Sequence, residues 1–280
     1  MTLPTQPIGI FDSGIGGLTI ARALVNLMPQ ENIIYFGDTA HLPYGDKSPE
    51  TLQAHALRIT DFLLAKQCKL ILIACNSAAS AASPQVRAHV KDKALVMDVI
   101  DPLIQSLTPT HHKIGLIGTR QTVHSGIYRQ KLEAAFPGLQ LVCRATNLLA
   151  SAIEEFGSST VTDSLIREYL SDPVLEGIES LILACTHYPL IKENIRAFFD
   201  GAIDVIDPSD TVARAALRLL TDNNLRNPGG TGKKHFYVSD LTDSFADKAR
   251  FFFSDTIHLE HLPLEKPYEL SPQLACREFC

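Results

Sequence analysis

One pattern constrains this chain more than any other, because it occurs twice. Leu70 to Ala74 is an unbroken apolar run that ends in Cys75-Asn76-Ser77, followed by the small residues Ala78, Ala79 and Ser80. Leu181 to Ala184 is a second run, and it ends in Cys185-Thr186-His187-Tyr188-Pro189. Each is of strand length and lacks polar alternation, as a strand buried on both faces does. Each opens Leu-Ile-Leu and closes Ala-Cys before a hydrogen-bonding residue, and the two cysteines lie 110 residues apart. In open α/β sheets, ligands bind where such strands end and helices begin. The repeat therefore predicts two thiols at the mouths of two buried strands.

Other pieces recur at nearly the same offset. Ile8 to Phe11 reads as a strand running into Asp12-Ser13-Gly14-Ile15-Gly16-Gly17, and Lys113 to Ile117 as one running into Gly118-Thr119-Arg120-Gln121-Thr122. Two half-chains of this kind predict an α/β fold of two similar three-layer lobes. Their sheets are mainly parallel, they are related by pseudo-symmetry, and the active site lies in the cleft between them. The expected division is 1–99 plus 208–265 for the first lobe, 100–207 for the second, and 266–280 as a C-terminal tail. Helices are expected over Leu18 to Leu27, Pro49 to Ala65 with Ser48 as its cap, Ser83 to His89, Leu103 to Leu107, Tyr128 to Ala135, Ala150 to Phe156, Val161 to Leu170, Thr211 to Leu220 and Ser244 to Phe252. Thr39 to Ser48 reads as a loop, and Asn223 to Lys234 as a glycine-rich exposed one. Hinges are expected near Val99 to Asp101 and Asp207 to Asp210.

Composition removes several function classes. A formal net charge of −6 gives a nucleic-acid partner no bulk electrostatic support. No apolar run approaches a membrane span, and the N-terminus carries no basic segment followed by a long apolar one. Six cysteines in 280 residues do not resemble a disulfide scaffold, so the expected setting is the reducing cytoplasm.

Cysteine reacts as its thiolate, whose proton affinity is set by neighbouring charge and burial. Cys75 and Cys185, at facing strand ends, could reach one ligand from opposite sides. One thiolate takes a proton from carbon, the other thiol returns one to the opposite face, and a stereocentre inverts. Asp12 and His187, on neighbouring strand ends, are natural partners for these thiols. Ser13, Asn76, Ser77, Thr119, Thr122 and Thr186 supply short polar groups suited to an α-carboxylate and α-ammonium, with no metal required. Each could equally be a helix cap, and Cys68 and Cys143 read as packing residues. Gly14, Gly16 and Asp38 carry a competing nucleotide-binding reading, although the third fingerprint glycine is replaced by Thr19. A two-lobed binding protein without catalysis is a further alternative. His258, His261, Cys276 and Cys280 could be drawn as a zinc site, but their spacing fits no standard pattern.

The segments FDSGIGG (Phe11 to Gly17), PYGDKS (Pro43 to Ser48), ACNSA (Ala74 to Ala78), GTRQTVHSGIY (Gly118 to Tyr128) and ACTHYPLI (Ala184 to Ile191) together resemble the glutamate racemases. They span the chain from about residue 8 to 265 in that family's order. The resemblance implies cofactor-independent interconversion of L- and D-glutamate for peptidoglycan synthesis. It places the catalytic cysteines on Cys75 and Cys185 and the assisting acid and histidine on Asp12 and His187. Substrate-binding positions fall on Asp12, Ser13, Tyr44, Gly45, Asn76, Ser77, Thr119, Thr122, Thr186 and His187, with Glu154 as a further match. Ser77 stands where the family usually has Thr. Aspartate and hydantoin racemases share the paired cysteines, and the His-Tyr pair after Thr186 favours glutamate. The resemblance also implies a homodimer and, in some members, a peptidoglycan-precursor activator.

Overall fold

The computed structural model describes residues 2–108, 112–255 and 257–264. Among the described residues, ten strands form two all-parallel sheets. They are β1 (Ile8–Asp12), β2 (Ile33–Gly37), β3 (Leu70–Ile73), β4 (Leu95–Asp98), β5 (Lys113–Gly118), β6 (Gln140–Ala145), β7 (Ser180–Ala184), β8 (Asp204–Ile206), β9 (Lys234–Val238) and β10 (Leu259–His261). The first sheet has the order β10-β9-β2-β1-β3-β4, and the second β6-β5-β7-β8. The fold is the expected two-lobed α/β arrangement. The chain crosses from the first sheet to the second after β4, and returns through the Ser209–Asp222 helix after β8.

The central strands β1, β3 and β7 are buried along their whole length. This explains their unbroken apolar sequence: with helices on both faces, no position can be polar at low cost. Fully burying a side chain such as Phe11, Ile73 or Leu183 contributes roughly 1.5–3 kcal/mol. Register then fixes the chemistry. Phe11 pairs with Ile73, so Asp12 and Cys75 emerge from adjacent strand ends. Gly118 pairs with Ala184, so Thr119 and Cys185 emerge together in the second sheet.

Several local expectations shift. The helix after Cys75 begins at Asn76 and runs to Val90 without a break, carrying Pro84 inside it. Tertiary packing overrides the proline, because Ala78, Ala79, Ala82 and Val86 are buried along that helix. Pro102 sits in the first turn of the Ile100–Ser106 helix, where its missing N–H costs nothing. The Thr39 to Ser48 loop contains two 3-10 turns, Thr39–His41 and Tyr44–Asp46. A seven-residue helix, Lys192–Phe198, follows Ile191 without having been anticipated. The Pro49–Ala65 helix matches expectation, and the Ser48 hydroxyl accepts the Thr51 N–H as its cap. The proposed tail, 266–280, lies outside the described residues.

At the opposite end of the first sheet, fully buried Lys69 and Glu31 pair at 2.5 Å. The other Glu31 oxygen accepts the Asn227 N–H at 2.8 Å. These charged groups hold chain segments together, which leaves the carboxyl ends of the strands for chemistry.

Candidate active site

Both cysteines line one cavity of about 180 Å³ between the two sheets. That is below the roughly 300–1,000 Å³ typical of drug-sized ligand clefts. The wall is built from Ser13, Tyr44 and Gly45, Cys75 to Ser77, Thr119, Glu154, and Cys185 to His187, with Leu42, Pro43, Ala150, Ser151 and Ala184 completing it. Neither Lys nor Arg is among these residues.

Cys75 occupies the cap position of the Asn76–Val90 helix, and its sulfur accepts the Ala78 N–H at 3.5 Å. Burial and the Asp12 carboxylate push its thiol up to about 12, against the opposing effect of the Ala78 N–H. Asp12 is itself fully buried, and burial raises its own pKa. Its oxygens accept the Gly14 N–H at 3.0 Å and the Thr186 hydroxyl at 3.4 Å.

Cys185 has different company. Its sulfur lies 3.6 Å from His187 Nδ1, and His187 Nε2 lies 2.5 Å from Glu154 Oε1. Burial alone would suppress the imidazolium, but Cys185 and Glu154 lift His187 well above its ordinary value. Burial would likewise lift Glu154, yet His187 and Lys248 hold it below the usual carboxylate range. The result is a line of thiol, imidazole and carboxylate at one side of the cavity. On the other side a proton-bearing thiol stands beside a carboxylate.

Cross-sheet contacts close the cavity. The Ser77 and Thr119 hydroxyls meet at 2.8 Å, and the Thr19 hydroxyl donates to the Thr186 carbonyl at 3.0 Å. Asn76 is held by the Tyr128 hydroxyl of the Ile127–Ala135 helix, which donates to its Oδ1 at 2.7 Å. The glycine-rich turn explains itself here. A Cβ on Gly16 would stand 2.4 Å from His187 Cε1, and one on Gly17 would stand 2.6 Å from Asp12 Cβ. The glycines make room for the facing site residues, not for a pyrophosphate. Asp38 is occupied by Tyr44, His41 and Ser239 and lies outside the wall, so the nucleotide-binding reading has no free acid to rest on.

Two expected substrate-binding residues do not reach the cavity surface. Asp12 is tucked beneath the Gly14–Gly17 turn at 0% exposure. Thr122 is 1% exposed inside the short Arg120–His124 helix, where its hydroxyl accepts from Thr119. Sequence reasoning missed Leu42, Ala150, Ser151 and Ala184. Ser151 could have been found, since it lies one helical turn before Glu154 on the same face. The His261 Nε2–H donates to the Ser239 carbonyl at 3.2 Å, while Cys276 and Cys280 lie outside the described residues.

Comparison with known proteins adds an independent line. The Asp/Glu/Hydantoin racemase family model matches residues 18–216. The glutamate racemase of Syntrophus aciditrophicus (strain SB) is 40% identical over 240 residues, covering 84% of this chain and 88% of that protein. The crystal structure of glutamate racemase from Francisella tularensis subsp. tularensis SCHU S4, in complex with D-glutamate, superposes with a TM-score of 0.88. It is 37% identical and covers 94% of this chain and 99% of that one. The Thermus thermophilus glutamate racemase, in complex with beta-chloro-D-alanine, gives a TM-score of 0.85 at 35% identity, covering 94% and 99%.

Proposed function

The chain belongs to the Asp/Glu/hydantoin racemase family, among the glutamate racemases, and from that premise we propose that it inverts glutamate by passing protons between Cys75 and Cys185. The observation that carries this reading is that both thiols line the same small cavity. The cavity suits a ligand no larger than an amino acid, and its wall offers hydroxyls, an amide and a helix N-terminus at Asn76 where the substrate carboxylates can be held.

In one direction the Cys185 thiolate takes the Cα proton. The Cys75 thiol gives its proton to the opposite face of the carbanion, leaving Cys185 protonated and Cys75 as thiolate. The reverse direction exchanges the roles. His187, anchored by Glu154, supplies the countercharge for a thiolate at Cys185. Asp12 is placed to influence the proton on Cys75. Burial of both sulfurs strengthens these interactions by excluding water. The two lobes are assigned to 1–99 plus 208–265 and 100–207. The product is assigned to peptidoglycan synthesis in the cytoplasm, and the working form to a homodimer.

Incubation of L-glutamate in deuterated buffer, with no added cofactor, tests the two-thiol reading. Early in the reaction the D product should carry deuterium while the remaining L substrate stays protiated. Equal exchange into both enantiomers would mean a single shared base and would overturn it. Aspartate run in parallel separates the glutamate assignment from an aspartate racemase, and binding without loss of optical rotation would indicate a binding protein.

A further inference from the structure

We propose that Asp38, His41 and His55 form a binding site for a zinc-class divalent ion behind the cavity wall. Asp38 ends at the mouth of the first sheet beside β2 and is 4% exposed. His41 lies one turn further on, and His55 faces them from the Pro49–Ala65 helix. Ligand atoms of the three residues all lie within 4.8 Å of one another.

The carboxylate is already oriented. Asp38 Oδ1 accepts the Ser239 hydroxyl at 2.8 Å and lies 2.8 Å from His41 Nδ1, while Oδ2 accepts the Tyr44 hydroxyl at 2.5 Å. Such outer hydrogen bonds are what hold a metal-binding carboxylate in place. The remaining neighbour of Oδ2 is His55 Nδ1 at 3.7 Å. That separation is too long for a hydrogen bond. It is close to the spacing of about 3.3 Å that two ligands of a tetrahedral zinc ion take with bonds of about 2.0–2.1 Å.

The histidines favour the same conclusion. Their ring centroids are 4.3 Å apart, so two imidazoliums would repel. Two imidazoles and one carboxylate select a late first-row ion over calcium or magnesium, which prefer oxygen ligands. The His41 side chain is 37% exposed, which leaves a side open for water as fourth ligand. His41 would exchange its contact with Asp38 for the ion. Tyr44 donates to the same carboxylate and stacks on His55 at 5.7 Å, so the ion would stiffen the wall that Tyr44 and Gly45 give the cavity.

The test uses the Cys75→Ser/Cys185→Ser chain, because the catalytic thiols could bind the same ion. Zinc titrated by calorimetry should bind at a single equivalent, and cobalt should show visible bands without thiolate charge transfer. His55→Gln and, separately, His41→Gln should weaken affinity by more than about 100-fold, the upper end of what outer-shell changes cost. The zinc-induced rise in melting temperature should vanish with them. Should the double-serine chain not fold, the histidine variants in the cysteine-containing chain repeat the test: the nitrogen-oxygen equivalent should be lost and any thiolate equivalent kept. Absence of binding at micromolar zinc, or binding that survives both histidine substitutions, overturns the proposal.

Discussion

Cys75 and Cys185 each follow a buried parallel strand, and they are 6% and 5% exposed. Their neighbours differ. Cys75 caps a fifteen-residue helix, and burial together with the neighbouring Asp12 keeps the thiol protonated. Cys185 is followed by a 3-10 turn and stands beside a histidine whose charge is favoured by Glu154. The repeated strand-end pattern thus places two thiols at one cavity, and their neighbours are unlike. In the proposed two-base reaction one thiol must be empty while the other is loaded.

Substituting the thiols tests the symmetric half of this comparison. Cys75→Ser and Cys185→Ser should each lower racemisation by about 10⁴-fold, the upper end for a positioned proton-transfer group. Polarimetry or a coupled D-glutamate assay reads the outcome. Retained turnover in either variant would break the pairing.

Alkylation tests the unlike half. With a thiol at about 12, only about 10⁻⁴ of Cys75 is thiolate at pH 8. Its labelling by iodoacetamide, followed by peptide mass spectrometry, should rise about tenfold per pH unit from pH 8 to about 11. Labelling of Cys75 that is as fast at pH 7 as at pH 10 would show that burial and Asp12 do not hold its proton.

The assisting groups should give smaller, lopsided effects. Asp12→Asn and Glu154→Gln should each lower kcat by about 10–100-fold. L- and D-glutamate have equal free energy in solution, so kcat/KM must stay equal in the two directions. The lopsidedness should therefore appear in kcat, in KM and in the primary deuterium isotope effect, with opposite preference in the two variants. Identical preferences would show that the two acids do not serve different thiols. His187 adds a stability signature. Its folded pKa is raised, so its contribution is complete below about pH 6.5 and is lost as pH rises through the raised folded value. The stability gap between the parent chain and His187→Asn, measured by urea unfolding, should narrow on going alkaline.

The smallest expected effect is at Ser77. Its hydroxyl meets Thr119 across the cavity. Ser77→Thr restores one methyl, worth about 0.8 kcal/mol if buried, and KM for glutamate should fall by no more than about fourfold. A rise in KM would mean that the methyl clashes and that the cavity is already filled.

Much of this arrangement was legible in the chain. The apolar runs ending in Cys75 and Cys185 are strands, and Ser48 caps the helix that starts at Pro49. Short pieces were not legible. The Lys192–Phe198 helix is only two turns long and is held by burial of Ile191 and Ile195, a tertiary effect. The helix expected from Ser83 begins at Asn76 instead, because burial of Ala78, Ala79 and Ala82 carries it back through Pro84. At the cavity, polar residues in strand-end motifs were found, whereas Leu42, Ala150 and Ala184 were not, because an apolar wall residue has no chemical signature of its own.

The amino-acid order alone determined which groups exist, that the two cysteines terminate buried strands, and that the pattern is doubled. These follow from period and spacing, which depend only on neighbours along the chain. Folding in three dimensions decided which charge each sulfur meets. Glu154 is 33 residues from His187, and Asp12 is 174 from Thr186. Electrostatic energies depend on separation in space and on exclusion of water, neither of which can be read from position in the sequence.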